Sequence, residues 1–139
     1  MNQMNRTAFH ILRVGLAITF LWIGILIFKE PEAWGLTHLQ PWAAGLLPVP
    51  LREAMIGTAI LDLAIGFLLL TGLWVWVGAL VGGFHLIIVL TVSGITAVTT
   101  RDIGLLAAMA ALFIESFPWQ WLTRLRTKNS SSLAPPPSS

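Results

Sequence analysis

The sequence predicts an all-α integral membrane protein, a bundle of four transmembrane helices. Hydrophobic residues make up 56% of the 139-residue chain and charged residues only 10%, too few to clothe a soluble domain of this length. The mean hydropathy is +0.82. The apolar residues also gather into four runs of about 20, the length that crosses the ~30 Å hydrocarbon core of a bilayer.

The first run covers residues 9–28, between Arg6 and the "KEPE" stretch, where Lys29, Glu30 and Pro31 end it. It is longer than the apolar core of a signal peptide and no small-residue cleavage pattern follows, so it reads as a permanent helix. A Pro/Trp-rich loop over 31–53 comes next, with Trp34 and Trp42 among four prolines, and it is expected to lie along the membrane interface. The second run covers 54–73 and the third 74–97; the uncharged "TGLW" between them demands a tight reversal, for which Gly72 supplies the permissive backbone. The fourth is expected over 103–122, with the Arg101–Asp102 pair as its N-terminal cap and Pro118 bending or ending it. The remainder, 123–139, is basic and then Ser/Pro-rich, too polar to pack, and reads as a disordered tail.

Four spans put both termini on one side. That side holds Arg6, Arg13, Arg124, Arg126 and Lys128, against Lys29, Arg52 and Arg101 on the other, so the termini are assigned to the cytoplasm and the chain to the inner (cytoplasmic) membrane as a multi-pass protein. Trp74, Trp76, Trp119 and Trp121 form an aromatic belt at the terminal side. The sequence pI of 10.0 follows from eight Lys and Arg against six Asp and Glu, and the clustering of the basic residues at the chain ends is an orientation signal rather than a nucleic-acid patch. Cysteine is absent, which excludes disulfides, thiol relays, iron–sulfur clusters and Cys-zinc sites; no metal site is expected.

The second span carries Asp62 among ten Leu, Ile and Phe residues, whose transfer energies outweigh the roughly 2.5–3.5 kcal/mol that one Asp costs at mid-membrane. Reflecting the hairpin about the Leu73–Trp74 junction puts Asp62 and His85 at equal depth, each about 17 Å from the turn. Thr58, Asp62 and Gly66 share one stripe of the second span, and Gly78, Gly82 and His85 one stripe of the third. Gly78-x-x-x-Gly82 is a small-xxx-small pattern that lets helices approach closely, and Ala107-x-x-x-Ala111 in the fourth span reads the same way. The stripes point Asp62 and His85 at each other inside the bundle. Two roles fit such a pair: a polar pin between helices, or a ligand or proton site, the default for an intramembrane ionisable residue. Arg13 and Thr58 join the candidate polar site, although Arg13 lies shallow enough to snorkel to the headgroups. Arg101 and Asp102 form the candidate loop pair.

These residues resemble the motifs of the DoxX-like family of small four-helix membrane proteins. The resemblance covers most of 9–117 and rests on "LRVGLAITFLWIGILIFK", with Arg13, Gly24 and Lys29, on "ILDLAIGFLLLTG", and on "TAVTTRDIGLLAAMAAL". Asp62 stands where the family pattern has a glutamate. The resemblance implies a link to membrane redox assemblies, including quinol oxidase and thiosulfate–quinone oxidoreductase subunits, and gives Asp62, Arg13, Arg101 and Asp102 functional weight by analogy.

Three functions follow as expectations. The first is an accessory subunit of a quinone-linked membrane oxidoreductase, in which His85 donates to a quinone carbonyl and Asp62 relays the proton. Electrons would come from elsewhere, because only His85 lies deep enough to ligate a haem. The second is a binder or transporter of a small apolar molecule, lidded by the 31–53 loop. The third is a structural or assembly subunit whose Gly and Ala stripes dock on a membrane protein partner, or on another copy in a homo-oligomer; no reading calls for nucleic acid.

Overall fold

The computed structural model describes residues 5–120. The tail, with Arg124, Arg126 and Lys128, and the expected end of the fourth span at Trp121 and Leu122 lie outside the described residues.

Six helices follow one another: α1 (Arg6–Lys29), α2 (Pro31–His38), α3 (Pro41–Gly45), α4 (Leu51–Thr71), α5 (Val75–Ser93) and α6 (Ala97–Ser116). The four long ones, α1, α4, α5 and α6, are long and apolar enough to cross a membrane. Local chemistry sets their ends. The Asn5 side chain accepts from the Thr7 N–H to open α1, and prolines at the first position start α2 and α3. Gly72, with φ +76, closes α4 in the left-handed conformation, and Gly94, with φ +68, ends α5. Trp74 also holds a positive φ of 47, an uncommon conformation for a bulky residue, and completes the reversal between α4 and α5.

The first two spans shift by three residues or fewer at each end, and the larger differences fall at the third and fourth. The third span stops at Ser93 rather than reaching Ala97, because Gly94 leaves the helical region. The fourth helix starts at Ala97, six residues before the expected 103, and Thr96 is its cap. Thr96 Oγ1 accepts from the Thr99 N–H at 3.2 Å while Thr99 Oγ1 accepts from the Thr96 N–H at 2.6 Å, a reciprocal capping box. Arg101 and Asp102 therefore sit inside the helix and cap nothing. At its far end α6 stops at Ser116, just before Phe117 and Pro118.

The long helices alternate in direction. Gly66 of α4 abuts Leu21 of α1, Gly24 of α1 abuts Ala59 and Leu63 of α4, and Gly82 of α5 abuts Met109 of α6. Small residues matter at these points because a Cβ on Gly66 would fall 2.9 Å from the Leu21 backbone nitrogen. Contact is densest between α1 and α4 and between α5 and α6, so the bundle is two helix pairs meeting along a seam. In the half nearest the termini the seam is filled by buried Leu16, Ala17, Phe20, Ile65, Leu69 and Met109. In the other half, Ile27, Met55 and Ala59 form a second cluster under Trp34, Leu39 and Leu51. The part of the 31–53 segment before α4 is thus packed as a cover over one end of the bundle, with Pro31, Gly35 and Ala43 buried. The outer surface of the long helices shows exposed Ile11, Ile18, Trp22, Phe67, Phe84 and Ile103, which suits acyl chains. Ala107 and Ala111 lie on this outer surface too; it is Met109 and Leu112 that α6 turns inward, so the small-residue stripe expected to face the bundle faces away.

Candidate functional site

Asp62 and His85 meet. Nε2 of His85 lies 3.1 Å from Oδ1 of Asp62, and the two side chains are 10% and 5% exposed. The hairpin geometry explains the meeting: with the reversal at Gly72–Trp74, each residue is about the same rise along its helix from the turn. Gly78 lets the pair form, since it holds α5 against Leu68 and Leu69 of α4, where a Cβ would stand 3.2 Å from the nearest side-chain carbon. The contact spans the seam between the two helix pairs. His85 is the one polar partner of Asp62 among the described residues.

Above this pair, on the side away from the termini, lies a cavity of about 220 Å³. Its wall is apolar over most of its extent, with Phe20, Ile23, Leu86, Val89 and Leu105, and its cover includes Trp34, His38 and Leu39. Asp62 and His85 form its inner end. From Asp62 to Met55 near the cover is seven residues of α4, a depth of about 10 Å. An apolar engineered cavity of about 150 Å³ holds benzene, so this volume suits a single substituted ring or a molecule of similar bulk.

The other expected site residues divide. Thr58 lines the cavity one turn above Asp62, with its hydroxyl donating to the Ala54 carbonyl of its own helix at 3.2 Å. Arg101 and Asp102 line it from α6: Nε and Nη2 of Arg101 donate to Asp102 Oδ1 at 3.1 and 2.9 Å, with Asp102 buried and the arginine half exposed. Arg13 does not belong to the site. Its Nη1 donates to the carbonyls of Leu69 and Leu70 at 2.6 and 3.0 Å, at the opposite end of the bundle, where it caps α4 and leans on Gly72. Carbonyls left open by the end of α4 hold the guanidinium there, away from Asp62. Gly66, Gly78 and Gly82 are all spent on contacts within the bundle.

Sequence reasoning offered the 31–53 loop as a lid but missed His38 and Gln40 as the residues that form and fasten it. His38 lines the cavity, stacks on Trp34 with ring centroids 4.5 Å apart, and places Nδ1 2.9 Å from the Trp34 carbonyl. Gln40 fastens the cover to α5: its backbone N–H donates to Val92 at 2.9 Å and its Nε2 to Ser93 at 3.2 Å. One signal was there to read, Pro31 followed by an acid in the next position, which opens a helix and puts Trp34 and His38 on one face four residues apart. Among the described residues no three His, Cys, Asp or Glu side chains converge as a metal-binding group. Chemically, the site can enclose an apolar body and offer one buried acid–imidazole pair to its polar end.

No family model, curated protein or solved structure matches the chain. The family resemblance thus stands on its motifs, and the site stands on its geometry.

Proposed function

We propose that this chain is a membrane-embedded binding subunit, which takes one small, mostly apolar molecule with a polar end into the cavity above Asp62 and His85. The observation that carries the reading is the placement of the only deep acid–imidazole contact among the described residues at the closed end of an apolar cavity. A pin between helices needs no cavity. The DoxX-like motifs favour a quinone-type ring as the molecule and an accessory place in a membrane oxidoreductase as the setting, with electrons supplied by a partner subunit. With the termini in the cytoplasm of a cell with an inner membrane, the cavity would face the outer side of that membrane.

Two forms of the competing readings lose support. Transport by a single copy would need a path through the terminal half, which is filled by packed aliphatic and aromatic side chains. Docking through Gly66, Gly78 and Gly82 would need those glycines on the surface, and they are buried against neighbouring helices, so a partner or second copy would have to use the exposed Ala107 and Ala111 stripe of α6 instead.

Purification in mild detergent, followed by solvent extraction and mass spectrometry, tests the proposal. Wild type is expected to retain a lipophilic ring compound that His85→Phe loses, and to copurify with a redox partner. If no such compound is retained, and Asp62→Asn leaves the quinone-linked activity of the copurifying complex unchanged, the reading fails.

A further inference from the structure

The charge balance of the acid–imidazole pair identifies the polar end of the ligand, and this step rests on the binding role proposed above. Asp62 is 3% exposed and sits about midway along a membrane-length helix. A lone negative charge there is costly, and the nearest cation in the cavity wall, Arg101, is already bound to Asp102. The remaining titratable group of the cavity, His38, belongs to the cover. Neutrality of the inner end therefore has to come from Asp62 and His85 themselves, which requires one proton beyond those of a carboxylate and a neutral imidazole.

Two distributions of that proton satisfy the 3.1 Å contact between Nε2 and Oδ1. In one, a protonated acid donates to Nε2. In the other, a carboxylate accepts from the Nε2–H of an imidazolium. Nε2 is engaged in both, so Nδ1 carries a hydrogen in both. A third distribution, with Nε2–H donating to a neutral acid, leaves both the stronger donor, the acid O–H, and the stronger acceptor, the bare Nδ1, without partners among the described residues, whereas the first pairs those two kinds of group with each other and leaves open only the weaker imidazole N–H. His85 makes no second hydrogen bond among the described residues, and its side chain lines the cavity. We infer that the Asp62–His85 pair is net neutral and presents the Nδ1–H of His85 as the hydrogen-bond donor for a neutral carbonyl-type oxygen on the bound molecule. A hydrocarbon would leave this donor unmet, and a carboxylate would bring a net charge into a site balanced without one. The ligand class is an uncharged ring or chain with an oxygen acceptor at its leading end.

Two measurements on the full chain in mild detergent decide it. In protein labelled with ¹⁵N-histidine, with the His85 signals assigned by their loss in His85→Phe, Nδ1 is expected to show the shift of a protonated ring nitrogen before any ligand is added. A bare, lone-pair nitrogen there overturns the inference. The second measurement compares tetramethyl-1,4-benzoquinone with hexamethylbenzene, in which methyl groups replace both oxygens; taking wild type against His85→Phe for each ring cancels detergent partitioning. His85→Phe is expected to weaken the quinone about tenfold, the worth of one buried hydrogen bond, and to leave the hydrocarbon within about twofold. Equal effects on the two rings, or none on either, overturn the inference. Should neither ring bind wild type, the binding role itself fails for this class of molecule, and the nitrogen shift alone decides the charge balance.

Discussion

The backbone N–H of Gln40 donates to the carbonyl of Val92 at 2.9 Å, and through it the cover formed by α2 and α3 is tied to the end of α5. The carbonyls of a helix's last turn lack partners within the helix, so Val92 and Ser93 are open acceptors. Gln40 fills both, one with its backbone and one with its side chain. The seam between the helix pairs is thus bridged by polar contacts at two depths, Asp62–His85 within and Gln40–Val92 at the mouth, and the cavity lies between them.

Gln40→Ala should loosen the cover without unfolding the bundle. It removes the Nε2 bond to Ser93 and keeps the backbone bond to Val92. One net hydrogen bond is worth about 1 kcal/mol. Amide hydrogen exchange over Pro31–Gly45 is expected to speed up about fivefold, with exchange in the middle of α1 unchanged.

The Asp62–His85 contact predicts a non-additive pattern. Asp62→Leu alone leaves a buried imidazole without its partner, and His85→Leu alone leaves a buried acid; each should lower stability by about 1–3 kcal/mol. The double variant replaces both with apolar groups and should cost less than either single change. Unfolding in mixed micelles as a function of denaturing detergent measures all three. Additive losses would show that the two side chains do not depend on one another.

Much of this architecture was legible in the sequence because bilayer thickness fixes helix length and a short turn fixes depth. The four spans follow from apolar run length, and the meeting of Asp62 and His85 from their equal distance to a turn that Gly72 makes tight. What could not be read depends on competition between partners. Asp102 looked like a helix cap because nothing in composition reveals that Thr96 and Thr99 cap each other first. Arg13 looked like a site residue because the open carbonyls at Leu69 and Leu70 appear only once α1 and α4 are side by side. The cavity itself is a matter of what fails to fill the space between two helix pairs, and no periodicity encodes that.

Glycines that the sequence cannot rank are ranked by their surroundings. A Cβ on Gly66 would meet the Leu21 backbone nitrogen at 2.9 Å, which cannot move without shifting α1. On Gly82 the closest atom is the terminal methyl of Met109, a flexible end that can turn away. Gly104 has nothing within 4 Å. Gly66→Ala should therefore destabilise by about 1–3 kcal/mol, Gly82→Ala by less, and Gly104→Ala should be neutral or stabilise by up to about 1 kcal/mol through helix propensity. Micelle unfolding midpoints are expected in that order.

Arg13→Met separates structural from ligand-facing cations. The guanidinium caps two carbonyls, but its Nε is buried without a partner, so part of the gain is already offset. A loss of about 1 kcal/mol in stability is expected, with ligand retention unchanged. A variant that folds as wild type does but retains no ligand would return Arg13 to the site.

The absence of cysteine makes access to the cavity directly measurable, because any introduced thiol is the only one in the chain. Val89 lines the cavity, whereas Ala79 and Leu69 are buried in the packed terminal half, at 1% and 0% exposure. Since that half is filled, a small aqueous thiol reagent has a route to position 89 from the cover side alone. In oriented vesicles, Val89→Cys should react when reagent is added on the side of Lys29 and Arg52 and stay silent when it is added on the terminal side. Gln40→Ala in the same background should raise its rate, because the cover is then held by one bond fewer, and a bound ring compound should lower it. Ala79→Cys should be unreactive from both sides. Labelling of position 89 from the terminal side would mean that a path runs through the core, and the site would then be a passage rather than a pocket closed at one end.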